Sequence, residues 1–154
     1  TLASIAREKA GVMRRGRPTV VGPLSAGALG SVRAQARMVG ARLVEARRGS
    51  RIVTPDDSEL LDVHTPRRSY AGVRPFPGTH QRDNLLVGVR LLEEAEAAGL
   101  AVDLDAIPTA IATAHWPGRL EWIDGNPPLL LDGAHNLEAT AALIEALDAV
   151  LEPR

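Results

Sequence analysis

The feature that most constrains this chain lies in residues 17–46, where "RPTVVGPL", "SAGALGSVRAQARMVGA" and "RLVEA" follow one another as a strand, a helix and a strand. The first stretch is β-branched and stops at Gly22-Pro23, a pair that ends a strand rather than extending it. In the second, Ala28, Val32, Ala36 and Val39 recur near helical spacing, and Gly40 closes the run. Two strands joined through a helix can run parallel, so this order predicts an α/β layer built on a parallel sheet.

The flanking segments fill in the architecture. Upstream, "TLASIAREKAG" reads as a helix already under way, with Ser4 as its cap, Ile5 opening the periodic positions and Gly11 stopping it. From Arg47 to Pro77 the pattern weakens into short alternating pieces such as Glu59 to Val63, expected as edge strands and loops. "THQRDNLLVGVRLLEEAEAAGL" predicts the strongest helix, with Thr79 as N-cap, Leu85, Val89 and Leu92 on one face and Gly99 as its stop. "DLDAIPTAIATAHW" predicts a shorter helix whose Pro108 suits the first turn. Pro117-Gly118 then breaks the chain. A strand over Leu129 to Leu131, expected as the first of a second unit, a turn, and a helix capped by Asn136 follow. The domain boundary is therefore expected near this break, dividing the chain into 1–114 and 115–154. The first residue is not Met and the last helix is cut soon after it forms, so both ends read as the interior of a longer protein.

Composition narrows the function classes. The 154 residues are 45% hydrophobic, enough for one ordinary core or parts of two. Only 3% are aromatic and the net charge is -1, which argues against a nucleic-acid stacking surface. No apolar stretch reaches membrane-spanning length and no signal organisation opens the chain, so a cytoplasmic protein without membrane partners is expected. The absence of cysteine removes disulfides, thiolate metal sites and cysteine nucleophiles together. All 18 basic residues are Arg except Lys9.

That single lysine offers chemistry a guanidinium lacks: a primary amine that can lose its proton and take up CO2. The carbamate so formed is an anionic oxygen donor suited to Mg²⁺. Periodicity alone favours the other reading, a solvated Glu8-Lys9 face. In "LLLDGAHN", a strand ending at Leu131 would deliver Asp132 and His135 to a sheet edge, where ligands of open α/β sheets sit. Asp132 can accept from a ribose hydroxyl and His135 can bond a phosphate; an Asx turn with an exposed His135 is the alternative. Arg119 precedes Asp132 by thirteen residues, far enough for a strand and a turn to bring guanidinium and carboxylate around one ligand. Asn84, in the first turns of the strongest helix, is a further nucleotide contact in prospect. His64 and His115 have no second ligand at metal spacing and are assigned to structure.

Four stretches, "IAREKAGVMRRGRPTVVG", "GTHQRDNLLVGVRLL", "HWPGRLEWI" and "PPLLLDGAHNLEATAAL", occur in an order and spacing that resemble the folylpolyglutamate synthases and bifunctional dihydrofolate synthases of the Mur ligase superfamily. The resemblance runs from Ile5 to about Leu147. It implies an α/β fold made of the C-terminal part of a Mur-ligase-type central ATPase domain followed by the start of a Rossmann-like C-terminal domain. It also implies ATP-dependent ligation of L-glutamate to a folate or to dihydropteroate through an acyl phosphate, with ATP and Mg²⁺ required and a monomer acting on small molecules. By matching motif, Lys9 is similar to the family's carbamylated, Mg²⁺-binding lysine. Asn84, Arg119, Asp132 and His135 resemble its nucleotide contacts.

This sequence departs from the family pattern in four ways. The glycine-rich phosphate loop ending in Gly-Lys-Ser/Thr is absent, as Lys9 is the only lysine; the upstream metal-binding His region and most of the folate site are also missing. Leu137 stands where the family commonly has Pro. The chain by itself is therefore expected to have little activity. A peptidoglycan-precursor Mur ligase is the alternative within the superfamily, although those ligases more often show a tyrosine in the motif matched by "DGAHN". A non-catalytic nucleotide-binding or interaction module is the alternative outside it.

Overall fold

The computed structural model describes residues 1–55, 58–78 and 80–151. Helix α1 (Leu2–Lys9) passes into a 3-10 turn at Ala10–Val12. Its cap is Thr1, whose hydroxyl accepts from the Ser4 amide at 3.3 Å, and not Ser4 as the sequence suggested. Ser4 already lies within the first turn, three residues on, where its amide is one of the donors that a cap must satisfy.

Strand β1 (Pro18–Val21), helix α2 (Ala26–Val39) and strand β2 (Arg42–Glu45) form the expected unit, with β1 and β2 parallel and Pro18 opposite Arg42. Ser25 caps α2 by accepting from the Ala28 amide at 3.4 Å. Gly40 ends the helix in the left-handed region, φ +72°, which a side chain would oppose. The stripe Ala28, Val32 and Ala36 is buried as read, and Val32 and Ala36 pack on Ala10 and Met13.

The segment expected as edge strands and loops forms an antiparallel sheet in the order β3 (Arg51–Val53), β4 (Leu61–His64), β5 (Ser69–Val73), so β3 and β5 are edges as expected and β4 is central. Central β4 turns Leu61 and Val63 into the main core and leaves Asp62 and His64 on the other face. Four residues carry too short an alternation to declare themselves centrally placed; the pairing partners on both sides do that.

Helix α3 (His80–Ala97) lies against this core through Leu86 and Val89. The predicted face is corrected: Leu92 is exposed and Leu85 only half-buried, whereas Arg90, Glu93 and Glu94 are buried. Polar partners make this affordable. Fully buried Glu93 accepts from Thr65 Oγ1 at 2.6 Å, Tyr70 Oη at 3.0 Å and Arg90 Nη1 at 2.6 Å, while Arg67 donates to its backbone oxygen. Glu94 pairs with Arg42 on β2. Apolarity alone thus misplaced the face, because a charge that is paired and hydrogen-bonded can be buried. Gly99, φ +89°, follows the helix, as expected. The Thr79 cap lies outside the described residues.

Helix α4 (Ile107–Thr113) carries Pro108 in its first turn and buries Ile107 in the same core. Beyond the Pro117-Gly118 break, β6 (Glu121–Ile123) and β7 (Leu129–Leu131) make an antiparallel hairpin, and α5 (Leu137–Leu151) follows. Leu129–Leu131 is therefore the second strand of a hairpin and not the first strand of the second unit, with β6 supplying the strand expected between Arg119 and Asp132. Leu129 and Leu131 are exposed in this chain. Among the described residues no helix is long and apolar enough to cross a membrane.

Candidate functional site

The site grows from the way the β6-β7 hairpin is tied at its base. Gly118 has φ +68° and Leu120 φ +47°, so the turn entering β6 is held in the left-handed region twice within three residues. Asp132, at the end of β7, fastens it. One carboxylate oxygen accepts from the Leu120 amide at 3.0 Å and the other from the Ala134 amide at 2.8 Å. The Gly133 amide donates to the Gly118 carbonyl at 2.8 Å, and the Gly118 amide donates to Glu121 at 2.6 Å. The Asx turn weighed for Asp132 is thus present, and the same carboxylate also reaches across the hairpin.

Arg119, between the two left-handed residues, extends over the indole of Trp116 with its guanidinium carbon 5.7 Å from the ring centroid. Trp116 meets Phe76 edge-on, with centroids 5.5 Å apart and planes at 74°. Among the described residues Arg119 has no ion pair with Asp132 or any other carboxylate.

Helix α3 supplies the opposite wall. Asn84 Nδ2 donates to Gln81 Oε1 at 3.0 Å, and Gln81 Nε2 lies 3.1 Å from His80 Nε2, so a chain of side-chain bonds orients all three. Between this wall and the hairpin is a cavity of about 360 Å³, lined among others by His80, Gln81, Asn84, Trp116, Arg119, Leu120, Asp132 and Asn136. Its size falls in the range of small-molecule sites. Asn136 caps α5, accepting from the Ala139 amide at 2.9 Å, which places the positive end of that helix beside the cavity. A guanidinium, a helix N-terminus, a carboxylate and a primary amide around one cavity suit a ligand bearing both anionic and hydroxyl groups.

The structure therefore brings Asn84, Arg119 and Asp132 together from segments remote in sequence. His135 stays outside the lining; it is exposed, with Nδ1 2.8 Å from the Gly133 carbonyl oxygen. Lys9 is exposed as well and lines a different cavity, of about 610 Å³, with Ile5, Val21, Gly22 and Leu24. No group of three His, Asp or Glu side chains converges on a metal position among the described residues. A carbamate on Lys9 fits Mg²⁺ as one oxygen donor, and further donors are needed to complete a site. His64, 2.8 Å from Ser69 Oγ, and His115, 3.3 Å from Glu121, make structural contacts as read. The sequence reading missed Trp116; its one signal was an aromatic ring three residues before Arg119 in a chain with only two Trp.

These features define an α/β chain of the Mur-ligase type whose hairpin and longest helix line one cavity. No protein-family model matches the chain. Over nearly its whole length, however, it is a homologue of the folylpolyglutamate and dihydrofolate synthases. It is 31% identical over 152 residues to the dihydrofolate synthase/folylpolyglutamate synthase of Bacillus subtilis, covering 96% of this chain and 35% of the relative. The corresponding Escherichia coli protein is 32% identical over 151 residues, covering 96% and 33%. The folylpolyglutamate synthase complex with AMPPCP and folate superposes with TM-score 0.86 at 25% identity, over 99% of this chain and 38% of that one. The apo form of the L. casei enzyme superposes with TM-score 0.84, again at 25% identity, over 99% and 38%. The chain thus spans little more than a third of the length of these relatives.

Proposed function

We propose that this chain forms the nucleotide-facing part of an ATP-dependent ligase that joins L-glutamate to a folate or to dihydropteroate. The observation that carries the reading is the convergence of Asn84, Arg119 and Asp132 on one cavity of about 360 Å³. Homology to enzymes of that name, one of them crystallised with an ATP analogue and folate, supports it.

Bound ATP would supply the phosphoryl group that turns the acceptor carboxylate into an acyl phosphate, releasing ADP; attack of the glutamate amine on the acyl carbon would then form the amide and release phosphate. In this reading Arg119 pairs with phosphate oxygens through its rigid donor fork. Asn84 offers both an amide donor and an acceptor to the ligand, and Asp132 holds the turn that presents Arg119 while accepting from a hydroxyl. Lys9, as a carbamate, would contribute one oxygen to Mg²⁺ and thereby act on the transferring group through the metal. Residues 1–114 would belong to the central ATP-binding domain and 115–154 to the start of the C-terminal ligase domain, with the cavity at their junction. We assign this activity to a cytoplasmic monomer acting on small molecules.

The test is an assay of ATP hydrolysis by the full-length protein with glutamate plus either dihydropteroate or a reduced folate. Glutamate-dependent ADP release with at least one acceptor is expected. Hydrolysis indifferent to both acceptors would refute the proposal.

A further inference from the structure

Trp116 is explained neither by core packing nor by the contacts assigned above. It is 47% exposed, yet it lines the cavity and is met edge-on by Phe76, with ring centroids 5.5 Å apart. Arg119, itself exposed, has no ion pair among the described residues, and its guanidinium carbon lies 5.7 Å from the indole centroid, close to the turn at Gly133. There, a Cβ built on Gly133 would meet Arg119 Nη1 at 3.1 Å, so the guanidinium runs between an aromatic plane and a glycine.

We infer that Trp116 is the positioning residue for Arg119: it holds the guanidinium over the cavity by cation-π contact, leaving the donors free for an anionic ligand. This rests on the nucleotide reading of the cavity. A carboxylate partner would fix Arg119 equally well but would occupy the donors and cancel the charge the ligand must meet. A ring face attracts the cation without using a single N–H. Phe76, edge-on, keeps the indole from rotating away.

The experiment measures the Kd of AMPPCP by calorimetry on the full-length protein and its variants W116L, W116F, R119A and W116L/R119A, with steady-state kinetics in parallel. W116L is expected to raise Kd roughly 3-fold to 30-fold, the range of a cation-π contact expressed as affinity. The double variant should bind no worse than R119A, W116F should stay within about 2-fold of the parent, and KM for ATP should rise with kcat little changed. Should W116L fold poorly, Phe76→Leu carries the comparison, weakening binding in the same direction. W116L or Phe76→Leu at parental affinity, or losses in the double variant that multiply, would overturn the inference. If R119A is weakened but W116L is not, only the role of Trp116 falls. If the parent protein does not bind AMPPCP, or R119A matches it, the nucleotide reading falls with it.

Discussion

The carboxylate of Asp132 accepts the backbone N–H of Leu120 at 3.0 Å, and Leu120 is the non-glycine residue that the hairpin holds at positive φ, +47°. The two facts belong together. A leucine in the left-handed region costs on the order of 1 kcal/mol or more, and a charge-assisted bond to its amide offsets about that much. Asp132 therefore determines where Arg119, one residue earlier, can reach. Replacing Asp132 by Ala should weaken AMPPCP binding about 10-fold, a loss of one such charge-assisted bond. It should also speed hydrogen exchange at the Leu120 amide. Unchanged affinity would remove Asp132 from the site, and unchanged exchange would show that the turn holds itself.

Gly133 gives a cleaner perturbation of the same side chain. Its φ is not in the left-handed region, so Ala imposes no backbone strain there, and the atom its Cβ would crowd is the far end of Arg119. Gly133→Ala is expected to change the melting temperature little while raising the nucleotide Kd several-fold, as Arg119 moves aside. An unchanged Kd would mean that Arg119 does not contact the ligand.

Lys9 is solvent-exposed and its side chain has no hydrogen bond or ion pair among the described residues, so substitution there disturbs the core little. Lys9→Arg in the full-length protein should abolish glutamate ligation with the fold intact by circular dichroism, since a guanidinium cannot form the carbamate. Near-normal turnover in the variant, independent of CO2, would count decisively against the assigned role.

Buried Glu93 predicts a stability effect far from the cavity. Truncation to Ala leaves Arg90, whose side chain is only 9% exposed, with just the longer 3.9 Å contact to Glu94, and removes the acceptor of buried Tyr70. A loss of about 3 kcal/mol or more in urea unfolding is expected, in line with breaking one side of a buried ion pair. A loss below about 1 kcal/mol would mean that the network relaxes or takes up water.

Glu94 predicts the acid side of the stability profile. Its hydrogen bond from Arg42, and the nearby guanidinium charges, hold its carboxyl below the ordinary value of 4.5 against the opposing pull of burial. A depressed folded-state value contributes stability that is present above the unfolded value and is lost as pH falls through the folded one. The urea midpoint should therefore fall as pH drops below about 4.5. Glu94→Gln should be less stable at neutral pH and show a shallower fall. Parallel profiles would place the acid sensitivity elsewhere.

Much of this protein could be read from one-dimensional signals, and the exceptions share a cause. The β1-α2-β2 unit, the Gly40 stop, Pro108 in the first turn of α4 and Asn136 as the α5 cap depend on chemistry within a few residues, which sequence displays. The central position of β4, the charged buried face of α3 and the antiparallel pairing of Leu129–Leu131 depend on partners 20 or more residues away in some cases, as with Tyr70 and Glu93. For the candidate site, the residues were legible as motifs, but their grouping was not.

By itself the sequence determined the local elements and the chemical repertoire: one primary amine, an arginine after a Pro-Gly break, a carboxylate at a strand end. Tertiary structure decided which of these share a cavity. Asn84 on α3 and Arg119 and Asp132 on the hairpin face one another, while Lys9 and His135 lie outside that cavity. It also decided that Arg119 rests on Trp116 and not on Asp132. The physical reason is that a carboxylate satisfies whichever donors the fold brings closest, and here the backbone amides of Leu120 and Ala134 reach Asp132 while the guanidinium is held apart on an aromatic face.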